Sequence, residues 1–225
     1  MSDIKKVVII GDSSFAQIAF EYFNNDSPYQ VVGFAVESKF RKQDSLFNIP
    51  VIDFEKIELY FPNKNHEVFV AVTYVQLNRV RTRLYLEAKN KGYKMASYVS
   101  SRAFCWGNVK LGEHVFIFED NTLQPFVEIG NNVVLWSGNH IGHHSIIRDN
   151  CFISSHVVIS GHCDIGKNCF MGVNSTISNN IIIADDCLIG IGSVITKNTE
   201  QNNIYKGNPA IATNVMATKL FKVLE

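Results

Sequence analysis

The chain lacks any imbalance of charge. Lys and Arg number 21, Asp and Glu also 21, leaving a formal net charge of +0 over 225 residues. With no basic surplus to draw nucleic acid or an anionic membrane, neither is expected as a partner. A long hydrophobic run is missing too. Near the N-terminus the only apolar stretch is Val-Val-Ile-Ile at 7–10, too short for a signal peptide or a membrane-spanning helix, which predicts a cytoplasmic protein. Cysteine is scarce and odd in number, at five, which in that compartment argues for reduced thiols rather than a disulfide framework. The length nevertheless suffices for one large domain or two small ones with a buried core.

Up to about residue 100, strands and helices alternate. Residues 6–11, 29–36, 49–53 and 67–72 read as strands, mostly continuous and apolar. Phe15, Ile18, Ala19, Tyr22 and Phe23 recur at helical spacing. A later helix is expected to carry Leu77, Val80, Leu84 and Ala88 on one face, with Gly92 ending it before a strand over 94–100. This alternation predicts a small parallel α/β sheet, a Rossmann-like unit, over 1–102.

From about Val109 the rule changes. A large aliphatic falls at every sixth residue from Leu111 through Ile141, Ile159 and Met171 to Ile195, fifteen times without a miss. Neither helical nor strand periodicity generates six. A hexapeptide repeat marks a parallel β-helix, one short strand and one corner per hexad and three hexads per coil, here over 103–212. A period of eighteen should then appear at the corners. Glu113-His114, Asn131-Asn132, Asp149-Asn150, Lys167-Asn168 and Asp185-Asp186 form such a polar column. Residues 213–225 read as a helix that could cover the open end of the coil.

Cys151, Cys163, Cys169 and Cys187 each follow a repeat aliphatic by four, the slot that Val133, Ser145, Val157 and Ser175 also fill. They read as small buried core residues, and Cys105 as lying at the mouth of the coil. The histidines are the chemistry-bearing feature. His140, His143 and His144 stand within five residues. If Ile141 points inward, His143 and His144 sit at a corner and point out. Adding eighteen to 144 lands on His162, one coil on, roughly 4.8 Å away. Three readings remain open on spacing: solvated corner residues, a metal site, or a catalytic base. No two histidines are five apart, the pair spacing that hexapeptide carbonic anhydrases use for zinc, so no metal is expected.

Across nearly its whole length the chain resembles the left-handed β-helix sugar N-acyltransferases that carry an N-terminal nucleotide-sugar-binding domain, with sialic acid O-acetyltransferases as relatives. The motifs are VIIGDSSFAQ (8–17), VGFAVE (32–37), VFVAVT (68–73), the hexads, IGHHS (141–145), and GIGSVITKN (190–198) followed by GNPA (207–210). The resemblance implies a left-handed coil and a homotrimer. It implies acetyl-CoA as co-substrate and a nucleotide-linked amino-dideoxy sugar, of the 4-amino-4,6-dideoxy type, as acceptor, the product feeding surface glycan or glycoprotein synthesis. It places the general base at His143, suited by an imidazole's natural titration range, and the oxyanion donor at the Gly161 backbone N–H, one coil on. It also puts acetyl-CoA contacts at Gly161, Val173, Ile191, Lys206 and Pro209, and nucleotide-sugar contacts at Gly11, Asp12, Ser13, Ser14, Glu37 and Thr73.

Three positions depart from the family pattern. An acidic residue usually follows the base and orients it; here it is His144, which either orients His143 or competes with it as base. Some relatives carry a donor-contacting histidine where this chain has Phe152. The glycine turn of the first unit, often GxGGHG, is Gly11-Asp12-Ser13-Ser14, where the serines either contact phosphate or simply cap a helix. Two further functions stay open on the sequence: O-acetylation of a sugar hydroxyl, and a non-catalytic or zinc-binding hexapeptide protein.

Overall fold

In the computed structural model, which describes residues 4–224, the apolar runs near the N-terminus form one sheet. Its strands are β1 (Lys5–Ile10), β2 (Tyr29–Val36), β3 (Ser45–Leu46), β4 (Ile49–Asp53), β5 (Glu67–Val70) and β6 (Lys94–Met95), in the order β3-β4-β2-β1-β5-β6. Every pairing is parallel except the β3–β4 hairpin. Val7 to Ile10 and Val68 to Val70 are buried on both faces, which is why they read as unbroken apolar runs rather than alternating ones. Helix α1 (Ser14–Asn25) buries Phe15, Ala16, Ala19 and Phe23; a short α2 (Ile57–Tyr60) and α3 (Arg79–Asn90) complete the layers. The chain moves from β1 to β2 on one side and reaches β5 on the other. That reversal falls between β1 and β5, and in open α/β sheets ligands bind outside the carboxyl ends of the strands at such a point.

The chain separates into two compact units. The first comprises the chain through Thr73 with Val80–Tyr98; the second, Tyr74–Arg79 with everything from Val99 on. Leu77, expected on the face of α3, belongs to the second unit. It precedes the helix in a run of left-handed residues, Gln76, Leu77 and Asn78, with φ of 52°, 48° and 68°. Leu77 packs against Leu188, Ile204 and Ala217, and Tyr74 lies against Phe152 and Phe170. Asn78 donates to the carbonyls of Asn168 and Cys169, and Arg79 pairs with Asp186. A left-handed leucine costs about 1–2 kcal/mol, and full burial of its side chain returns about 1.5–3 kcal/mol, so docking overrides the helical spacing. The strand expected over 94–100 is broken into Lys94–Met95 and Tyr98–Val99.

The second unit is a left-handed parallel β-helix. Each hexad contributes a two-residue strand that pairs in parallel with the strand eighteen residues on, as in Thr122 with His140, His140 with Val158 and Val158 with Thr176. The strands line three sheets, one per face of the prism. Every repeat aliphatic from Ile117 to Ile195 is at most 3% exposed. Leu111, at 39%, is the exception because its strand is the last of its sheet. Cys151, Cys163, Cys169 and Cys187 are buried free thiols in the core, as expected, and burial pushes the thiols of Cys163, Cys169 and Cys187 up. Cys105 is half-buried and its thiol is pushed up by burial too.

From the corner at 113–114 to that at 191–192, the second residue of the corner is left-handed. In the expected polar column these are His114, Asn132, Asn150, Asn168 and Asp186, with φ between 56° and 64°, a conformation that Asn and Asp tolerate better than most residues. Their side chains form a ladder: Asn132 Nδ2 donates to Asn150 Oδ1 at 2.8 Å, Asn150 Nδ2 to Asn168 Oδ1 at 3.2 Å, and Asn168 Nδ2 to Asp186 Oδ1 at 3.1 Å.

The expected C-terminal helix is present but far shorter than residues 213–225. Asn203–Gly207 pairs antiparallel with Ala210–Met216, and the helix α4 spans only Ala217–Leu220. Ala217 packs on Leu188 and Ile204, outside the coil. It is Tyr205 that packs against the coil core beyond Ile195, its hydroxyl accepting from the Glu200 N–H at 2.7 Å.

Candidate active site

His143 and His144 leave the coil at one corner, as the first and second residues of a turn in which His144 is left-handed at φ 58°. Both rings are exposed. Their Nδ1 atoms stand 3.1 Å apart, so in the neutral pair one ring donates a proton and the other accepts it. If His143 Nδ1–H donates, its Nε2 lone pair is left available to take a proton. Below and above, the coil supplies aromatic neighbours at intervals of eighteen. His144 stacks on Phe126 at 4.5 Å and on His162 at 4.8 Å, and His162 meets His143 edge-on at 5.0 Å.

The His143 ring lies over Gly161. A Cβ built there would stand 2.7 Å from His143 Cε1 and 2.8 Å from Nε2; only a residue without a side chain leaves the ring this position. The Gly161 N–H, expected to serve an oxyanion, instead donates to Asn179 Oδ1 at 2.9 Å. The His143 N–H donates to Gln124 Oε1, also at 2.9 Å. The Gly161 donor is thus engaged in a hydrogen bond that ties one coil to the next. Gln124, Phe126 and Asn179 are the neighbours that residue-by-residue reading missed. The eighteen-residue offset would have found two of them, since 126 and 144, like 161 and 179, share a column.

The expected acetyl-CoA contacts fall elsewhere on the same unit. Val173 and Ile191 are exposed on a second corner, the Gly192 N–H beside Ile191 donating to the Val173 carbonyl at 2.9 Å. That corner and the His143 corner flank one face, carrying Phe104, Thr122, His140, Val158, Thr176 and Val194. Lys206 and Pro209 are exposed at the terminal hairpin. Phe152 is buried in a row with Tyr74, Trp136 and Phe170, so it is not at the surface where a donor could meet it.

In the first unit, the candidate nucleotide contacts gather at the carboxyl ends of the strands. Gly11 follows β1 with φ 120°, donates to Ala35 O at 2.8 Å, and leaves no room for a side chain against the Ala71 carbonyl. Asp12 accepts from Gln43 at 3.3 Å. Ser13 stands at the N-cap of α1 without a side-chain capping bond, and no acidic residue occupies the first turn of the helix. The exposed hydroxyls of Ser13 and Ser14 and the N-terminal N–H groups thus make an anion-compatible end. Glu37, after β2, is held by Arg83 at 2.9 Å and Lys39 at 3.6 Å. Thr73 follows β5, and its carbonyl accepts from the fully buried Arg81 at 3.4 Å. Arg81 is a further residue that reading the sequence did not single out; nothing in its pattern distinguishes it from Arg79 and Arg83 of the same helix, neither of which is fully buried.

Comparison with known proteins agrees with this architecture. Residues 144–179 match the family model of the bacterial transferase hexapeptide (six repeats). No curated protein is similar in sequence. Among solved structures, a histidine-to-asparagine variant of perosamine N-acetyltransferase from Caulobacter crescentus, in complex with CoA and GDP-perosamine, has a TM-score of 0.83 at 20% identity, over 94% of this chain and 98% of that one. The acetyltransferase domain of PglB from Neisseria gonorrhoeae has a TM-score of 0.81 at 18% identity, over 93% and 100%. WeeI from Acinetobacter baumannii has 0.58 at 19% identity, over 93% and 100%. The fold is thus established over nearly the whole chain: a hexapeptide-repeat protein, left-handed β-helix preceded by an α/β unit.

Proposed function

We propose that the protein is an acetyl-CoA-dependent N-acetyltransferase acting on the amino group of a nucleotide-linked amino-dideoxy sugar, of the 4-amino-4,6-dideoxy class. The observation that carries this reading is the His143 imidazole, exposed at a coil corner, laid over a glycine and joined through Nδ1 to His144. Three of the similar structures contain CoA with GDP-perosamine, and a further one contains acetyl coenzyme A; we assign these ligand classes to the present chain.

The sugar amine attacks the thioester carbonyl carbon, forming the C–N bond. His143 Nε2 removes the proton that the amine nitrogen sheds. Collapse of the tetrahedral intermediate breaks the C–S bond, and the imidazolium returns its proton to the departing thiolate. General-base assistance of this kind contributes about 10²–10⁴-fold. His144 acts as a positioning residue, accepting from His143 Nδ1–H and itself clamped between Phe126 and His162. The donor runs along Val173 and Ile191 toward Lys206 and Pro209, while Gly11, Asp12, Ser13, Ser14, Glu37 and Thr73 hold the nucleotide sugar. Glu37 suits a ribose hydroxyl. The assembly is a homotrimer. No helix among the described residues is long and apolar enough to cross a membrane.

The test is thiol release from acetyl-CoA with UDP-, dTDP- and GDP-linked 3- and 4-amino-dideoxy sugars, wild type beside His143→Ala. Turnover with one sugar, lowered by about 10²-fold or more in the variant, is the expected result. Turnover only with acceptors that lack an amine would move the reaction to a hydroxyl, and full activity in the variant would remove His143 as the base.

A further inference from the structure

The proposed reaction uses one imidazole of a corner that holds three. One ring nitrogen from each of His143, His144 and His162 lies within 4.8 Å of the other two, on exposed side chains. The backbone that carries them is rigid: His162 N–H donates to the His143 carbonyl at 2.9 Å, locking one coil to the next. A tetrahedral zinc ion, with N–Zn about 2.0–2.1 Å, asks for nitrogens roughly 3.4 Å apart. The His143–His144 pair already stands at 3.1 Å. His162 closes the remainder by turning about its side-chain torsions, which its exposure permits. Imidazole suits zinc, nickel and copper, and not magnesium or calcium, which prefer oxygen.

We propose that His143, His144 and His162 form a binding site for a divalent transition-metal cation of the zinc class, and that the cation silences acyl transfer. The ion is a competitor here, not a cofactor. A neutral imidazole has one in-plane lone pair; when a metal takes it, through either nitrogen, the other nitrogen carries the proton and no base remains. The binding half rests on the corner geometry alone. The silencing half rests on the proposed function, and the two are separable by experiment.

Metal-free protein is titrated with zinc chloride by calorimetry and with cobalt chloride by visible absorption, wild type beside His162→Asn. Asn already occupies the left-handed corner positions 150, 168, 174 and 180, so this variant keeps the coil. We expect one ion per chain, affinity lowered at least about tenfold in His162→Asn, and no response to magnesium chloride. Acetyl transfer, followed by loss of thioester absorbance, falls on adding zinc and returns with chelator. In His162→Asn inhibition, read against that variant's own metal-free rate, needs at least about tenfold more zinc. Equal affinity in the variant, or a thiolate-to-cobalt charge-transfer band locating the ion at a cysteine, overturns the site. Binding that follows these expectations without inhibition overturns the silencing. Binding that follows them with no turnover on any sugar leaves the site standing and removes the acyltransferase reading.

Discussion

Gly161 decides where His143 can lie. Its backbone is not left-handed, so an alanine there is conformationally acceptable, yet the new Cβ would stand 2.7 Å from His143 Cε1. The ring is exposed and can swing away, which makes the cost one of position rather than of stability. Gly161→Ala is therefore expected to lower kcat by about 10²-fold or more while shifting Tm by less than about 4 °C, the equivalent of under 1 kcal/mol for a chain of this size. A large fall in Tm would mean that the glycine serves the coil and not the ring. His144 belongs to the same scale. His144→Leu removes the acceptor for His143 Nδ1–H but leaves the base in place. It should lower kcat with little change in KM and alter the pH–rate profile, whereas a leucine acting only through packing would leave that profile alone. His143 was legible in the sequence because hexad spacing tells which residues turn outward. Gln124 and Asn179 were not, because they act through side-chain bonds to backbone N–H groups a full coil away, and one position read alone carries no trace of that.

At the scale of elements, the asparagine column offers a clean separation of two effects. Asn150→Ala puts a Cβ into a left-handed corner, costing about 1–2 kcal/mol, and also deprives Asn132 and Asn168 of a partner. Asn150→Gly keeps the conformation free and loses only the partner. Chemical denaturation of the two variants should show Ala less stable than Gly by about 1 kcal/mol; equality would place the whole cost in the ladder. A second element-level effect is alkaline. The Tyr93 hydroxyl donates to the Phe61 carbonyl at 2.5 Å, and burial, with the Glu58 charge adding to it, pushes its pKa up to about 12. The folded state thus favours the neutral phenol. That contribution is fully present below the ordinary tyrosine value of 10.0 and is lost as pH rises through about 12. Tyr93→Phe should make stability fall less steeply over that window, measured by denaturant midpoints at successive pH values.

These elements also mark the reach of the sequence. Hexads and continuous strands were readable because their signal is local and repeated. The docking of Leu77 was not, since the partners Leu188 and Ile204 lie more than a hundred residues on. The strand Ala210–Met216 was likewise hidden: its alternating Ile211, Thr213 and Val215 take meaning only from the antiparallel partner Asn203–Gly207.

The three faces of the coil differ in a way that bears on the whole molecule. One carries ion pairs between neighbouring coils, Lys110 with Glu128 at 2.6 Å and Arg148 with Asp164 at 2.7 Å, as a solvent face should. The second presents Phe152, Phe170 and Leu188, covered in part by Tyr74, Leu77, Ala217 and Phe221. The third bears Phe104, Thr122, His140, Val158, Thr176 and Val194 on its strands, with no charge among them and with Phe104 and Val158 exposed. An uncharged face flanked by the His143 corner on one edge and by Val173 and Ile191 on the other is where a second copy of the coil would complete a donor cleft. If the homotrimer forms there, Val158→Glu should break it. A carboxylate buried without a partner costs several kcal/mol, more than a residue at the margin of an interface contributes. Because Val158 points away from the core, the isolated coil loses nothing by the change. Sedimentation should then give a trimer for wild type and a monomer for Val158→Glu, with acetyl-CoA binding lost together with the trimer and Tm measured on the monomer still cooperative. A variant that remained trimeric would move the interface to another face. One that became monomeric yet bound acetyl-CoA as tightly as wild type would show that a single coil suffices for the donor.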